Sequence, residues 1–344
     1  MSFFKSLKKP YLIAEIGVNH ECSIIKAKKM IRLAKLGGAD AVKFQTYKAL
    51  LLASKNSPAY WDKKKEKTDS QYKLFSKYDK FENKDYRVLQ KFCKKQKIDF
   101  LSTPFDEQAV DNLKNITPFF KIASADINNF PLLKSIGKTN KPVLISTGAS
   151  SIKDIKQAIN TLKKFGTRNF ALMHCILNYP TKDSDANLNM IQDLKKKFPK
   201  TSIGYSDHTL PDKNMSSLIL ACILGAEILE KHFTLNKKLK GNDHYHSMDY
   251  KDIKIFRKNY QIFHKKMGLT KKKPIKSELK SIKFARRSIY SKLDITKGQR
   301  ISEKNIITKR PGGGINPMNW NSILKKKAKK NIKADTKIKL EYLK

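Results

Sequence analysis

The sequence predicts an α/β chain, a (β/α)8 TIM barrel followed by a small β-rich domain. Three observations carry this. Eight short β-like runs recur along the chain, most followed by a helical pattern, and eight alternating units within about 250 residues are the size of such a barrel. The 344 residues leave room for one large domain and a small one. After a Lys- and Pro-containing linker at Thr270–Lys280 the pattern turns short and β-like, punctuated by Gly, Pro and Asn. The expected divisions are a barrel over 1–268, a linker over 269–284 and the small domain over 285–344.

In order, the predicted strands are Leu12–Gly17, Ala41–Tyr47, Asp99–Phe105, Phe119–Asp126, Pro142–Gly148, Phe170–Leu177, Ser202–His208 and Ile228–Leu235. The intervening segments repeat apolar residues at helical spacing, as Ile25, Met30, Ile31 and Ala34 do within Ile25–Leu36. Gly37-Gly38 and Gly225 stand where helix C-caps belong, and Ser150-Ser151 precedes a helix as an N-cap would. One connection breaks the rhythm. Lys48–Lys80 is too long for a plain turn, and its Tyr60, Trp61, Leu74 and Phe75 need something to pack on, so a partly helical lid at the barrel mouth is expected. The terminal domain carries 17 Lys and Arg against 4 Asp and Glu, and about sixty residues make a marginal core alone. It is expected to pack against its own barrel or a partner's.

Composition narrows the function. The net charge is +43, yet only 8 of the 73 basic residues are Arg, the side chain whose planar fork reads base edges and phosphates. Lysine fills the solvent faces of nearly every helix, which argues against a specific nucleic-acid groove. No run approaches the ~18 apolar residues of a membrane span. Cys22, Cys93, Cys175 and Cys222 show no metal-ligand spacing, and the N-terminus has no signal-peptide core. A cytoplasmic protein with reduced thiols, no membrane partner and no specific nucleic acid is expected.

Barrel active sites lie at the C-terminal ends of the strands. Those ends carry Glu15; Lys43 and Gln45; Ser102 and Thr103; Lys121, Ser124 and Asp126; Ser146 and Thr147; Tyr179; Ser206, Asp207 and His208; and Lys231 with His232. Lysines at strand ends need an anionic partner, and with hydroxyls around them they suit a phosphate plus a carboxylate. His208 and His232 end neighbouring predicted strands. Two such imidazoles can hold a divalent metal while leaving positions open for substrate.

The runs IAEIGVNH, GADAVKFQTY, FLSTPFD, KIASADINNFPLL, VLISTG, HCILNYPT, GYSDHT, EKHFTL and GNDHYHSMD resemble the N-acetylneuraminate (sialic acid) synthase family. That family includes legionaminic and pseudaminic acid synthases. The tail RRSIY, DITKGQRIS and KRPGGG resembles its C-terminal antifreeze-like (SAF) domain. The resemblance implies a transferase that condenses phosphoenolpyruvate with an N-acetylated hexosamine such as N-acetylmannosamine, or with a 2,4-diacetamido sugar. It implies a divalent metal, typically Mn2+ with Mg2+ or Co2+ as alternatives. It also implies a homodimer in which one subunit's SAF domain covers the other's barrel mouth.

By the same resemblance, Lys43, Thr103, Lys121, Ser124, Ser146 and Ser206 hold phosphoenolpyruvate, and His208 and His232 are the metal ligands. Glu15 acts at the reacting carbons with Gln45 beside it, and Asp126, Tyr179, Asp243 and Arg310 engage the sugar. The chain departs from the family's common pattern at Cys22, Asp126 and Leu177, the last two near the substrate. Rival readings are an octulosonate- or heptulosonate-phosphate type of synthase, which takes a phosphorylated aldose, and a polyanion-binding protein on a decayed barrel.

Overall fold

The structure, a computed structural model, describes residues 9–241 and 243–344. It divides into two compact units, Met1–Lys266 and Met267–Lys344. The first is an eight-stranded parallel sheet of β1 (Tyr11–Gly17), β2 (Ala41–Thr46), β3 (Asp99–Pro104), β4 (Phe120–Ile122), β5 (Val143–Ser146), β6 (Phe170–Cys175), β7 (Ser202–Asp207) and β8 (Ile228–His232). The ladder runs β3-β2-β1-β8-β7-β6-β5-β4. Its two ends, β3 and β4, lie side by side and close the barrel.

Alternation along each strand sorts the side chains into two cores. Ile13, Ala41, Leu101, Phe119, Leu144, Ala171, Met173 and Ile228 point inward and fill the barrel as an apolar plug. Their neighbours, such as Leu12, Val42, Phe100, Phe120, Leu172 and Leu229, point outward under the helices. Each fully buried side chain of this size contributes roughly 1.5–3 kcal/mol. Two residues further along each strand, the inward positions become Glu15, Lys43, Thr103, Lys121, Ser146 and Glu230, polar groups resting on an apolar floor.

The helices follow from caps and phase. Ser23 caps Ile24–Gly37, its hydroxyl accepting from the Lys26 amide, and Gly38 ends it in the left-handed region. Ala27, Met30, Ile31 and Ala34 are its buried face. Ile25, expected on that face, is 82% exposed; it shares a stripe with Lys28, Lys29 and Arg32. Ser151 caps Ile152–Lys164 in a capping box with Asp154.

The fourth strand is shorter than expected. Its ladder stops at Ile122, and Ser124–Asp126 coil into a 3₁₀ turn. The Ser124 hydroxyl there accepts from the Gly148 amide at 2.9 Å, a bond between segments 24 residues apart that holds the turn. The long connection after β2 contains the helices Ala49–Leu52 and Gln71–Tyr78.

The second unit pairs β9 (Ser288–Ser291) with β10 (Ile306–Lys309) antiparallel. Single bridges such as Ile295–Ile332 and Ala328–Leu343 extend the pairing. Its core is rich in isoleucine, including Ile289, Ile295, Ile301, Ile306, Ile323, Ile332 and Ile338, the residue type that a pleated surface favours.

Candidate active site

Two buried lysines and two buried carboxylates occupy the barrel's upper layer. Glu15 faces Lys43 across the β1–β2 register, and the Lys43 ammonium lies 2.7 Å from the Glu15 carboxylate. Lys43 also donates to the Thr103 hydroxyl at 2.8 Å. Lys121, from the opposite wall, donates to the Ser146 hydroxyl at 2.7 Å. Glu230 joins the halves, 3.8 Å from Lys43 and 3.5 Å from Lys121, and accepts from the Ser206 hydroxyl at 2.9 Å. Gln45 donates to Glu15 at 3.2 Å. Sequence reasoning gave a role to all of these except Glu230, noted only as an acid beside the histidines, whose inward position follows from its spacing of two from His232.

The electrostatics divide the two acids. Burial raises the Glu15 carboxyl to about 7, since Lys43's pull is partly offset by the charge of Glu230. Burial also penalises Glu230, but Lys121 and Lys43 together outweigh it and hold that carboxyl well below the usual range. Burial lowers Lys121, while the two carboxylates overcome burial at Lys43 and raise it. Glu230 is therefore the fixed charge and Glu15 the one that exchanges its proton near neutrality.

Lys231 points the other way. It pairs with Asp207 at 2.8 Å, which also accepts from the Tyr205 hydroxyl and from the backbone and hydroxyl of Thr209. Both charges are almost fully buried, and the pair stitches β7 to β8 outside the site.

Above the lysines lies a cluster of metal-ligand character. One ligand atom from each of His232, Asp243 and His246 falls within 4.8 Å of the others. The Nδ1 of His232 is buried with no hydrogen-bond partner and sits 3.5 Å from the Asp243 carboxylate. Burial drives His232 well below its usual value, toward the neutral form that binds metals. Burial works against ionisation of Asp243, yet the neighbouring imidazoles hold it below the usual carboxylate range. The ring of His208 lies 5.5 Å from that of His232. Its Nδ1 bonds the Ile176 carbonyl at 2.7 Å, so this nitrogen donates and Nε2 is the one that could offer a lone pair to a metal. Buried imidazole nitrogens without hydrogen-bond partners, beside a carboxylate, fit a divalent metal. His246 carries no role in the sequence reading; it lies in a turn, where no strand or helix period marks it.

Next to this cluster opens a cavity of about 330 Å3. Ser124, Ala125 and Asp126 line one side, Tyr179 and Asp243 another, and Leu52, Tyr60, Trp61, Leu74 and Phe75 of the connection after β2 a third. That connection thus lines the cavity as its expected lid role requires. Tyr179 stacks obliquely on His208, ring centres 4.1 Å apart. Leu177 and Phe105 add apolar surface, and no Lys or Arg is among the described residues lining the cavity. Burial raises the Asp126 carboxyl, and Asn129 donates to it at 3.1 Å. Arg310, in the second unit, stands exposed directly after β10.

The NeuB family model matches residues 30–272 and the SAF domain model matches residues 286–343. N,N'-diacetyllegionaminic acid synthase of Campylobacter jejuni is 40% identical over 97% of this chain and 100% of that protein. N-acetylneuraminate-9-phosphate synthase of Drosophila melanogaster is 37% identical over 73% of this chain and 67% of its own length. Among solved structures, N-acetylneuraminic acid synthetase from Leptospira borgpetersenii, in complex with citrate, is similar at a TM-score of 0.71. The two are 34% identical, over 80% of this chain and 90% of that one. Matched along nearly its whole length and in the same domain order, this chain is an enzyme and belongs to the NeuB family, its barrel followed by a SAF domain.

Proposed function

We propose that the protein condenses phosphoenolpyruvate with an unphosphorylated acetamido sugar, giving a nine-carbon 2-keto sugar acid and inorganic phosphate. The observation that carries this is the buried pair Lys43 and Lys121, bonded to the hydroxyls of Thr103 and Ser146 and linked through Glu230 to Ser206, in the layer below His232. Such a floor suits one phosphate and one carboxylate. His208 and His232 would hold a divalent metal with Asp243 at hand, and imidazole with carboxylate suits Mn2+ or Co2+ better than Mg2+. A bound metal supplies Lewis acidity that polarises the sugar aldehyde.

The protein's own groups do the rest. Lys43 and Lys121 orient the enol so that its C3 attacks the aldehyde carbon; the aldehyde oxygen takes up a proton from solvent and becomes a hydroxyl, and C2 is left as an oxocarbenium. Glu15, between Lys43 and Gln45, takes a proton from the water that adds to C2. The adduct then loses phosphate by cleavage of its C2–O bond. Substituting Glu15→Gln leaves phosphoenolpyruvate affinity within about threefold and lowers kcat by about 10²–10⁴; retained turnover would remove this role.

The cavity supports the choice of sugar. Acids line it and no described cation does, which disfavours a sugar phosphate. Leu52, Leu74, Phe75, Phe105 and Leu177 suit the methyl groups of a 2,4-diacetamido-6-deoxy sugar better than the hydroxyl-rich tail of N-acetylmannosamine. The resemblance further supports a homodimer whose SAF domain brings Arg310 to the partner's sugar. Phosphate release is measured with phosphoenolpyruvate and each of N-acetylmannosamine, its 6-phosphate and the diacetamido sugar, with and without Mn2+. The diacetamido sugar should react fastest and the 6-phosphate slowest. Release with none of them sinks the enzymatic reading, and release with the 6-phosphate alone sinks the choice of a neutral sugar.

A further inference from the structure

We propose that His246 supplies a third imidazole to the metal centre, beside His208 and His232. The inference rests on the metal reading above and adds a ligand to it. His246 has no exposed surface, and neither ring nitrogen has a hydrogen-bond partner. A neutral imidazole always carries one N–H and one lone pair, so burying both unmet is unfavourable. A phenyl ring would fill the same space without that penalty. The nearest polar group, the Asp243 carboxylate at 3.7 Å from Nε2, is beyond full hydrogen-bond length, so the ring has capacity for a further partner.

The surroundings say which. The His246 ring centre is 4.9 Å from that of His232 and 5.8 Å from that of Tyr179. Its Nε2 lies 3.7 Å from the Asp243 carboxylate. It shares with His232 and Asp243 the cluster whose ligand atoms all fall within 4.8 Å.

The backbone holds it there. The Met248 amide donates to the His232 carbonyl at 2.8 Å and the Thr234 amide to the Met248 carbonyl at 2.9 Å. The segment carrying His246 is thereby laid alongside the end of β8. Ser247 bonds the Asp243 carbonyl and receives the Asn19 side-chain amide. A ligand on so clamped a turn is preorganised, and an added imidazole biases the site toward Mn2+ or Co2+ over Mg2+.

The test reads metal binding rather than turnover. Full-length wild type, His246→Phe and His246→Asn are stripped of metal and titrated with Co2+, following heat and the visible absorption bands. The expected result is one tight Co2+ per wild-type chain, with affinity at least tenfold weaker and altered bands in both variants. Variants that are folded by circular dichroism yet bind with wild-type affinity and spectrum overturn the proposal. If either variant fails to fold, nitrogen couplings in the spin-resonance spectrum of Mn2+-loaded wild type decide: three coordinated imidazoles support it and two refute it. A wild-type protein that binds neither ion removes the metal reading itself, a separate outcome from a metal bound without His246.

Discussion

Lys231 and Lys121 are both buried lysines at strand ends, yet they face opposite sides of the barrel wall and should fail in opposite ways. Lys231→Met leaves Asp207 buried without its cation, a change worth about 3–5 kcal/mol, while phosphoenolpyruvate affinity stays as it was. Lys121→Met should cost affinity first, by roughly 2–5 kcal/mol as a lost buried charged contact. Urea unfolding and a binding titration on both variants separate the two faces. The strand-end reading named Glu15, Lys43, Thr103, Lys121, Ser146 and Ser206, which the structure turns to one side, but also Asp207 and Lys231, which alternation turns to the other. It gave Glu230 no role although the same alternation pairs it with His232. His246 lies in a turn, where no period exists to read.

A second residue-scale consequence concerns His20, buried and stacked on Phe81 at 4.4 Å with its Nδ1 accepting from the Cys22 amide. Burial pushes its value down to about 4, against roughly 6.5 unfolded. The folded chain thus prefers the neutral ring. Its contribution is complete above pH 6.5 and is lost as pH falls through 4, about 3 kcal/mol in all. Glu15, raised to about 7, contributes with the opposite sign in the same window, so the slope is read as the difference between wild type and His20→Asn, which keeps an acceptor for Cys22, in urea unfolding between pH 4 and 7.

At the scale of elements, most boundaries were legible because caps and periods are local. Ser23, Gly38 and Ser151 act as their types suggest. Two readings went astray for tertiary reasons. Ile25 was given to the buried face, but the phase of the helix is set by Ala27, Met30, Ile31 and Ala34 against the barrel. The fourth strand was drawn through Asp126, whereas Ser124 binds the Gly148 amide instead of extending the ladder, a choice made by a residue 24 positions away. Strands approach closely at Gly204 in β7, where a Cβ would meet the Ile228 carbonyl oxygen at 2.5 Å. Backbone cannot yield there without parting β7 from β8. Gly204→Ala should lower stability by about 1–3 kcal/mol, visible as a lower Tm by calorimetry, and should displace Ser206 two residues on, weakening phosphoenolpyruvate binding as well.

For the whole molecule, the charge of +43 is the property least informative about chemistry. The lysines cover helix surfaces, whereas the cavity is lined by acids and apolar groups. Their consequence is steering: a basic field draws in an anionic substrate, so kcat/KM should fall as salt rises while kcat holds. The expected assembly rests only on resemblance, since no spacing within one chain encodes which subunit's Arg310 would serve which barrel. The proposed exchange of SAF domains makes a stoichiometric prediction. Glu15→Gln disables a barrel and Arg310→Ala disables the domain serving the partner's barrel, so each homodimer is inactive. In a mixed dimer one barrel retains Glu15 and receives an intact Arg310, while the other has lost both. Unfolding and refolding an equal mixture places half the dimers in this mixed state, each with one working site, so activity should return to about a quarter of wild type. If Arg310 instead served its own barrel, every mixed dimer would contain two defective sites and the mixture would stay inactive.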